Sequence, residues 1–163
     1  ISVSQNPDVD FREKSLVIHS ENGGEIEYFY ADESLVTAPN EQPPQMEDVY
    51  VFKMTATDIN TIVKTASIVS ATMLNIVSDN GKVMLSINDP KNSTSHSYKK
   101  ALGDSEQSFN VKMAIDSFKV VPGDYTVRVS NAIAKSGKVL VFFFESSNSD
   151  LTYLIAADST SKV

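Results

Sequence analysis

At 163 residues, with 41% apolar and 21% charged side chains, the chain can hold one or two small domains with a real core. It has no Cys, which excludes disulfides and thiolate chemistry and suits a cytoplasmic protein. No apolar run approaches membrane-spanning length. The net charge of −7 argues against a strong nucleic-acid binder, yet it is uneven. Residues 1–49 carry 11 acidic and 2 basic side chains, and residues 50–163 carry 10 and 12, so a basic patch that holds DNA loosely remains open.

In chain order, Val9 and Phe11 alternate within a strand over 9–14, and Leu16, Val17 and Ile18 mark a second over 15–20. Glu21-Asn22-Gly23-Gly24 supplies a hairpin turn, and 25–31 alternates with aromatics as a third strand. Residues 37–48 hold three prolines and no periodicity, which predicts a stiff, extended connector and the best boundary in the chain. Beyond it, 50–54 predicts a strand. Thr57 or Asp58 can cap a helix over 58–70, with Ile59, Ile62, Val63, Ala66 and Val69 on its apolar face. Strands over 72–77 and 82–87 flank the turn at Asn80-Gly81, a polar loop covers 88–95, and a strand closes at 95–102. Then come a strand over 109–113, a short helix over 115–121 stopped by Pro122-Gly123, and strands over 125–129, 139–145 and 151–156.

The chain repeats itself. Lys53-Met54 recurs as Lys112-Met113, and Gly81-Lys82-Val83 recurs as Gly137-Lys138-Val139. Residues 50–102 and 107–163 each read strand, helix, then three strands. One such unit cannot bury both its sheet and its helix, so the two must pack together, with their helices on one face of the sheets.

Catalytic patterns are missing from the sequence. His19 and His96 are far apart in separate strand patterns, no Gly-x-Ser-x-Gly elbow occurs, and Ser136-Gly137-Lys138 lacks the earlier glycine of a P-loop. The carboxylates near Asp79 and Asp104 lack calcium-loop spacing. This points away from an enzyme and calls for no cofactor and no metal. Asn92-Ser93-Thr94 matches a glycosylation sequon but sits in a polar loop with no secretory signal ahead of it.

Three stretches carry a family resemblance: 35–40 leading through a Pro-rich run into 53–59, then 118–125 with its Pro122-Gly123-Asp124-Tyr125 ending, then 153–160. In order and spacing the chain resembles the DNA sliding clamps of T-even-type bacteriophages. The resemblance implies an α+β clamp fold: tandem βαβββ units, antiparallel sheets outside and helices on the inner face. It assigns 1–36 to the last strands of an incomplete N-terminal domain, 37–49 to the connector and 50–163 to a complete C-terminal domain. A start at Ile1 fits such a truncation.

The implied function is a non-enzymatic ring that encircles duplex DNA and tethers a replicative polymerase, in the cytoplasm of an infected bacterium. A head-to-tail homotrimer and a clamp loader come with it, and no membrane does. DNA contacts fall on Lys64 and Lys119, with Asn60 and Ser67 beside Lys64 and Lys112 weaker; the plainer reading of these lysines is a solubilising charge. A partner-peptide pocket falls on Val36, Pro39, Val139, Leu140, Tyr153, Leu154 and Ile155, some of which can equally be core. The subunit interface joins the strand bearing Glu25 and Glu27 to the one bearing His96, Lys99 and Lys100, where the lysines can equally guard an edge. The rivals are a β-rich virion component and a hydrolase.

Overall fold

The computed structural model describes residues 8–35, 44–92, 94, 96–134 and 137–163. The chain divides into two compact units, 1–43 and 44–163. In the first, β1 (Asp8–Phe11), β2 (Ser15–His19) and β3 (Glu25–Phe29) form an antiparallel sheet in that order. Residues 12–14, expected to prolong β1, turn instead, with the Arg12 N–H donating to the Ser15 carbonyl at 2.8 Å. The register sets Phe11, Leu16 and Tyr28 abreast, and Val9, Ile18 and Ile26 abreast, so one face of this sheet is apolar throughout.

The second unit contains β4 (Met46–Met54), α1 (Ala56–Ile68), β5 (Met73–Asp79), β6 (Lys82–Asn88), β7 (Tyr98–Asp104), β8 (Phe109–Ala114), β9 (Tyr125–Ala134), β10 (Gly137–Ser146) and β11 (Thr152–Ala156). Two antiparallel sheets result, ordered β11-β10-β9-β4 and β7-β6-β5-β8. The repeats exchange their first strands. β4 opens the first repeat but pairs with β9 of the second, and β8 opens the second but pairs with β5 of the first. Neither repeat therefore owns a complete sheet. β4 also begins inside the expected connector, so 46–49 belong to a sheet.

The β5–β6 turn follows from its residues. Asn80 and Gly81 have φ of 50° and 79°, the paired positive angles of a tight hairpin that Asn-Gly tolerates. Alternation then sends Leu74, Ile76, Val83, Leu85, Ile87, Val111 and Met113 to the core face, and a mixed set that includes Asn75, Ser86 and Lys112 beside Met73, Val77 and Met84 to the other. The other sheet contributes Phe52, Met54, Tyr125, Val127, Val129, Phe142 and Phe144. Ile59, Ile62 and Ala66 of α1 join the same core at helical spacing. Burying each large aliphatic or aromatic side chain contributes about 1.5–3 kcal/mol.

Two expectations change at the helices. The cap of α1 is Thr55, ahead of the expected Thr57 or Asp58, because its hydroxyl accepts the Asp58 N–H while Asp58 accepts the Thr55 N–H. In the second repeat the expected helix over 115–121 is a single 3-10 turn, Ile115–Ser117. Residues 55–72 link β4 to β5, whereas only 115–124 link β8 to β9, and Pro122 lacks the N–H a helix would need there. Phe118 and Val120 of this short link still reach the core at 5% exposure each, so it keeps the helix's burial without its length. Among the described residues α1 is the one α-helix, and no helix is long and apolar enough to cross a membrane.

Candidate functional site

The N-terminus of α1 is held from three directions. Beyond the Thr55–Asp58 exchange, the Lys100 ammonium on β7 donates to Asp58 Oδ1 at 2.5 Å, and Asp124 Oδ1, in the link before β9, accepts the Ala56 N–H at 2.9 Å. Both acids sit where the helix dipole favours negative charge. Burial pushes the Asp58 carboxyl up, but hydrogen bonds from Lys100 and Thr55 outweigh it and hold the group below its ordinary 3.8. Its contribution to stability is therefore full above pH 3.8 and fades as pH falls through the lowered value. Replacing Asp58 with Ala should cost about 1 kcal/mol at pH 7. The gap to the parent should narrow below pH 3.8; urea unfolding at both pH values checks it.

So anchored, α1 presents Asn60, Lys64 and Ser67 on its exposed side, three to four residues apart and hence neighbours. Lys119 is exposed just past the 3-10 turn, its N–H bonded to the Ser117 carbonyl at 2.9 Å. Ser67 and Lys119 line one groove of about 380 Å³ with Ile62, Val63, Ala66 and Phe118. Val63, expected on the apolar face of the helix, is 50% exposed there, on the wall of that groove. Neither Lys64 nor Lys119 is in an ion pair among the described residues.

Lys112 lies elsewhere. β8 buries Phe109, Val111 and Met113 against the core, so Lys112 falls on the sheet face turned away from α1. Strand alternation separates it from the Lys64 group.

The expected peptide-pocket residues are divided by the same alternation. Leu140, Tyr153 and Ile155 pack on the core, whereas Val139 and Leu154 fall on the opposite face, Leu154 48% exposed and abreast of Phe143. Tyr153 is structural: its hydroxyl accepts the Val121 N–H at 3.1 Å, and its ring meets Tyr125 edge-on. Val139 and Leu140 do line a depression of about 390 Å³ with Ala157, Asp158, Ser161 and Val163. This depression forms because 158–162 leave the first sheet and run along β8, with Asn110 and Lys162 exchanging backbone bonds at 2.8 and 2.9 Å. Val36 and Pro39 lie outside the described residues.

Of the expected interface residues, Glu25 bonds His19 at 3.1 Å, and Glu27 accepts the Ser15 hydroxyl at 2.7 Å. β3 and β7 are both edge strands. β7 begins at Tyr98 rather than Ser95, so His96 precedes it. Lys100 points inward to Asp58, and Lys99 is exposed on the opposite face.

Sequence reasoning missed Asp124 as a helix anchor; Pro122-Gly123 announced only a stop. It also missed Arg128, which bridges Asp48 at 3.1 Å and Glu145 at 3.4 Å across three strands. Among the described residues no His, Asp or Glu cluster could hold a metal ion.

No protein-family model matches the sequence, and no curated protein does. Solved structures do match. One is the Helicobacter pylori β clamp in complex with diflunisal, at 12% identity and a TM-score of 0.50 over 94% of this chain and 42% of that one. The fold is that of the sliding clamps. The Streptococcus pneumoniae DNA polymerase III β chain also aligns, at 16% identity and a TM-score of 0.46 over 94% of this chain and 41% of that one. The chain thus spans about two fifths of the clamp chains it matches. Within this clamp fold, α1 and the 115–121 link pack on the core side of the sheets, and Lys99 and Lys112 lie on the face turned away from α1.

Proposed function

We propose that this protein is a sliding clamp that encircles duplex DNA and tethers a replicative polymerase, without enzymatic activity of its own. The clamp fold, together with Lys64 on the exposed face of α1, in no ion pair among the described residues, carries this reading. Mobile ammonium groups beside the hydroxyl and amide of Ser67 and Asn60 suit sequence-independent phosphate contacts, which exchange readily and let a ring slide. Lys119 joins this surface; Lys112 does not, since it lies on the opposite sheet face. A phage origin of the T-even type, a head-to-tail trimer, a clamp loader and an infected bacterial cytoplasm extend the reading, supported by the order and spacing of the motif stretches. Residues 1–36 and 50–163 would then belong to successive clamp domains joined by the connector. The free edges β3 and β7 suit subunit pairing, with Glu25 and Glu27 meeting Lys99. The depression beside Val139 and Leu140 suits a partner peptide.

Replacing Lys64 and Lys119 together with Glu should abolish retention on nicked circular duplex DNA in low salt. The melting temperature should stay within a few degrees, since exposed charges contribute about 0–1 kcal/mol. Gel filtration of cross-linked complexes reads the outcome. Undiminished retention of the double variant would refute the assignment.

A further inference from the structure

We propose that the face of the β7-β6-β5-β8 sheet turned away from α1 is a docking surface for an acidic peptide of a protein partner, gripped by Lys99 and Lys112. The register puts four residues abreast across the four strands: Lys112 opposite Asn75, Asn75 opposite Ser86, and Ser86 opposite Lys99. Sequence alone separates these lysines widely; the sheet makes them the two ends of one row. Three strand spacings set their Cα atoms about 14 Å apart, close to the span of an extended peptide's residues i and i+4, about 13 Å.

The row is built rather than incidental. Asn75 is only 9% exposed although it lies on the outward face, and its amide is fixed by donating to Asn88 Oδ1 at 2.9 Å. Ser86 supplies a hydroxyl beside it. Next to Lys99 a depression of about 280 Å³ opens, lined by Ser86, Asn88, Asp89, Pro90, Asn92 and Ser97, room for an uncharged side chain with amide and hydroxyl partners. In the same unit Lys82, Lys100 and Lys138 are each bonded to a carboxylate at 2.5–3.0 Å, whereas Lys99 and Lys112, like Lys64 and Lys119, are in no ion pair among the described residues.

Charge at the ends of the row selects a peptide over a nucleic acid. Asp89 lies by the Lys99 end, accepting the Thr72 hydroxyl at 3.2 Å, and Asp158 lies by the Lys112 end, held by the Thr160 hydroxyl at 2.6 Å. A continuous polyanion would run into both carboxylates. A peptide with two separated acids meets the lysines and spares the ends.

The probe is the labelled peptide Ser-Gly-Glu-Ser-Gly-Ser-Glu-Gly-Ser, followed by fluorescence anisotropy in low salt. Binding should weaken by about tenfold or more in the Lys99→Gln, Lys112→Gln double variant, the loss of charge-assisted contacts. It should also vanish when both Glu of the peptide become Gln, and persist in Lys64→Gln, which tests the DNA-facing surface separately. Circular dichroism confirms that the variants fold. Affinity of the double variant within roughly twofold of the parent would overturn the proposal. So would tighter binding of a single-stranded oligonucleotide of equal charge that the double variant also loses.

Discussion

Phe144→Ala will destabilise the second unit by about 3–5 kcal/mol, the largest effect expected of any single substitution in it. Phe144 is 1% exposed, and its ring meets Phe118 edge-on at 6.0 Å and Tyr125 edge-on at 6.1 Å. Truncation leaves a cavity between β10, β9 and the 115–121 link, where three elements of fixed geometry cannot collapse together. Since domains of this size are stable by about 5–15 kcal/mol in total, the loss should be visible as a large fall in the urea midpoint. The transition should stay single and monitor both sheets at once, because β4 and β8 tie each sheet to both repeats. A biphasic transition, with one sheet surviving the other, would contradict the interlocked core.

The second large effect concerns the repeats themselves. Residues 44–106 and 107–163, produced separately, should each be largely unfolded and should acquire native far-ultraviolet circular dichroism on mixing. Alone, the first fragment lacks β8 beside β5 and β9 beside β4, leaving Ile76, Leu74, Phe52 and Met54 exposed along whole strand edges. At about 1.5–3 kcal/mol for each such side chain, the deficit exceeds the stability of a small domain. Cooperative unfolding of the first fragment by itself would show that the exchange of first strands is dispensable.

Much of this architecture was legible in the residues. Alternation in 73–79 and 82–88, the Asn80-Gly81 turn and the i, i+3, i+7 spacing of Ile59, Ile62 and Ala66 are local signals, set by backbone geometry within a few residues. The repeat was legible too, and with it the need for two units to pack as one. The cap was misplaced because Thr55, Thr57 and Asp58 are all competent caps, and only the direction of the chain leaving β4 chooses among them.

The sequence by itself therefore determined the strands, the first helix, the duplication and the clamp-like order of elements. Only the tertiary structure decided which strand pairs with which, and hence which side chains share a face. Strand periodicity of two fixes alternation but not which alternate set meets the core. Lys112 turned out opposite Asn75, on the side away from α1, and Lys100 turned inward to Asp58 while its neighbour Lys99 turned out. The second helix failed for a related reason. Its residues can form helix, but the linkage from β8 to β9 is too short once β8 is committed to the other repeat's sheet, so length imposed by distant pairing overrode local preference.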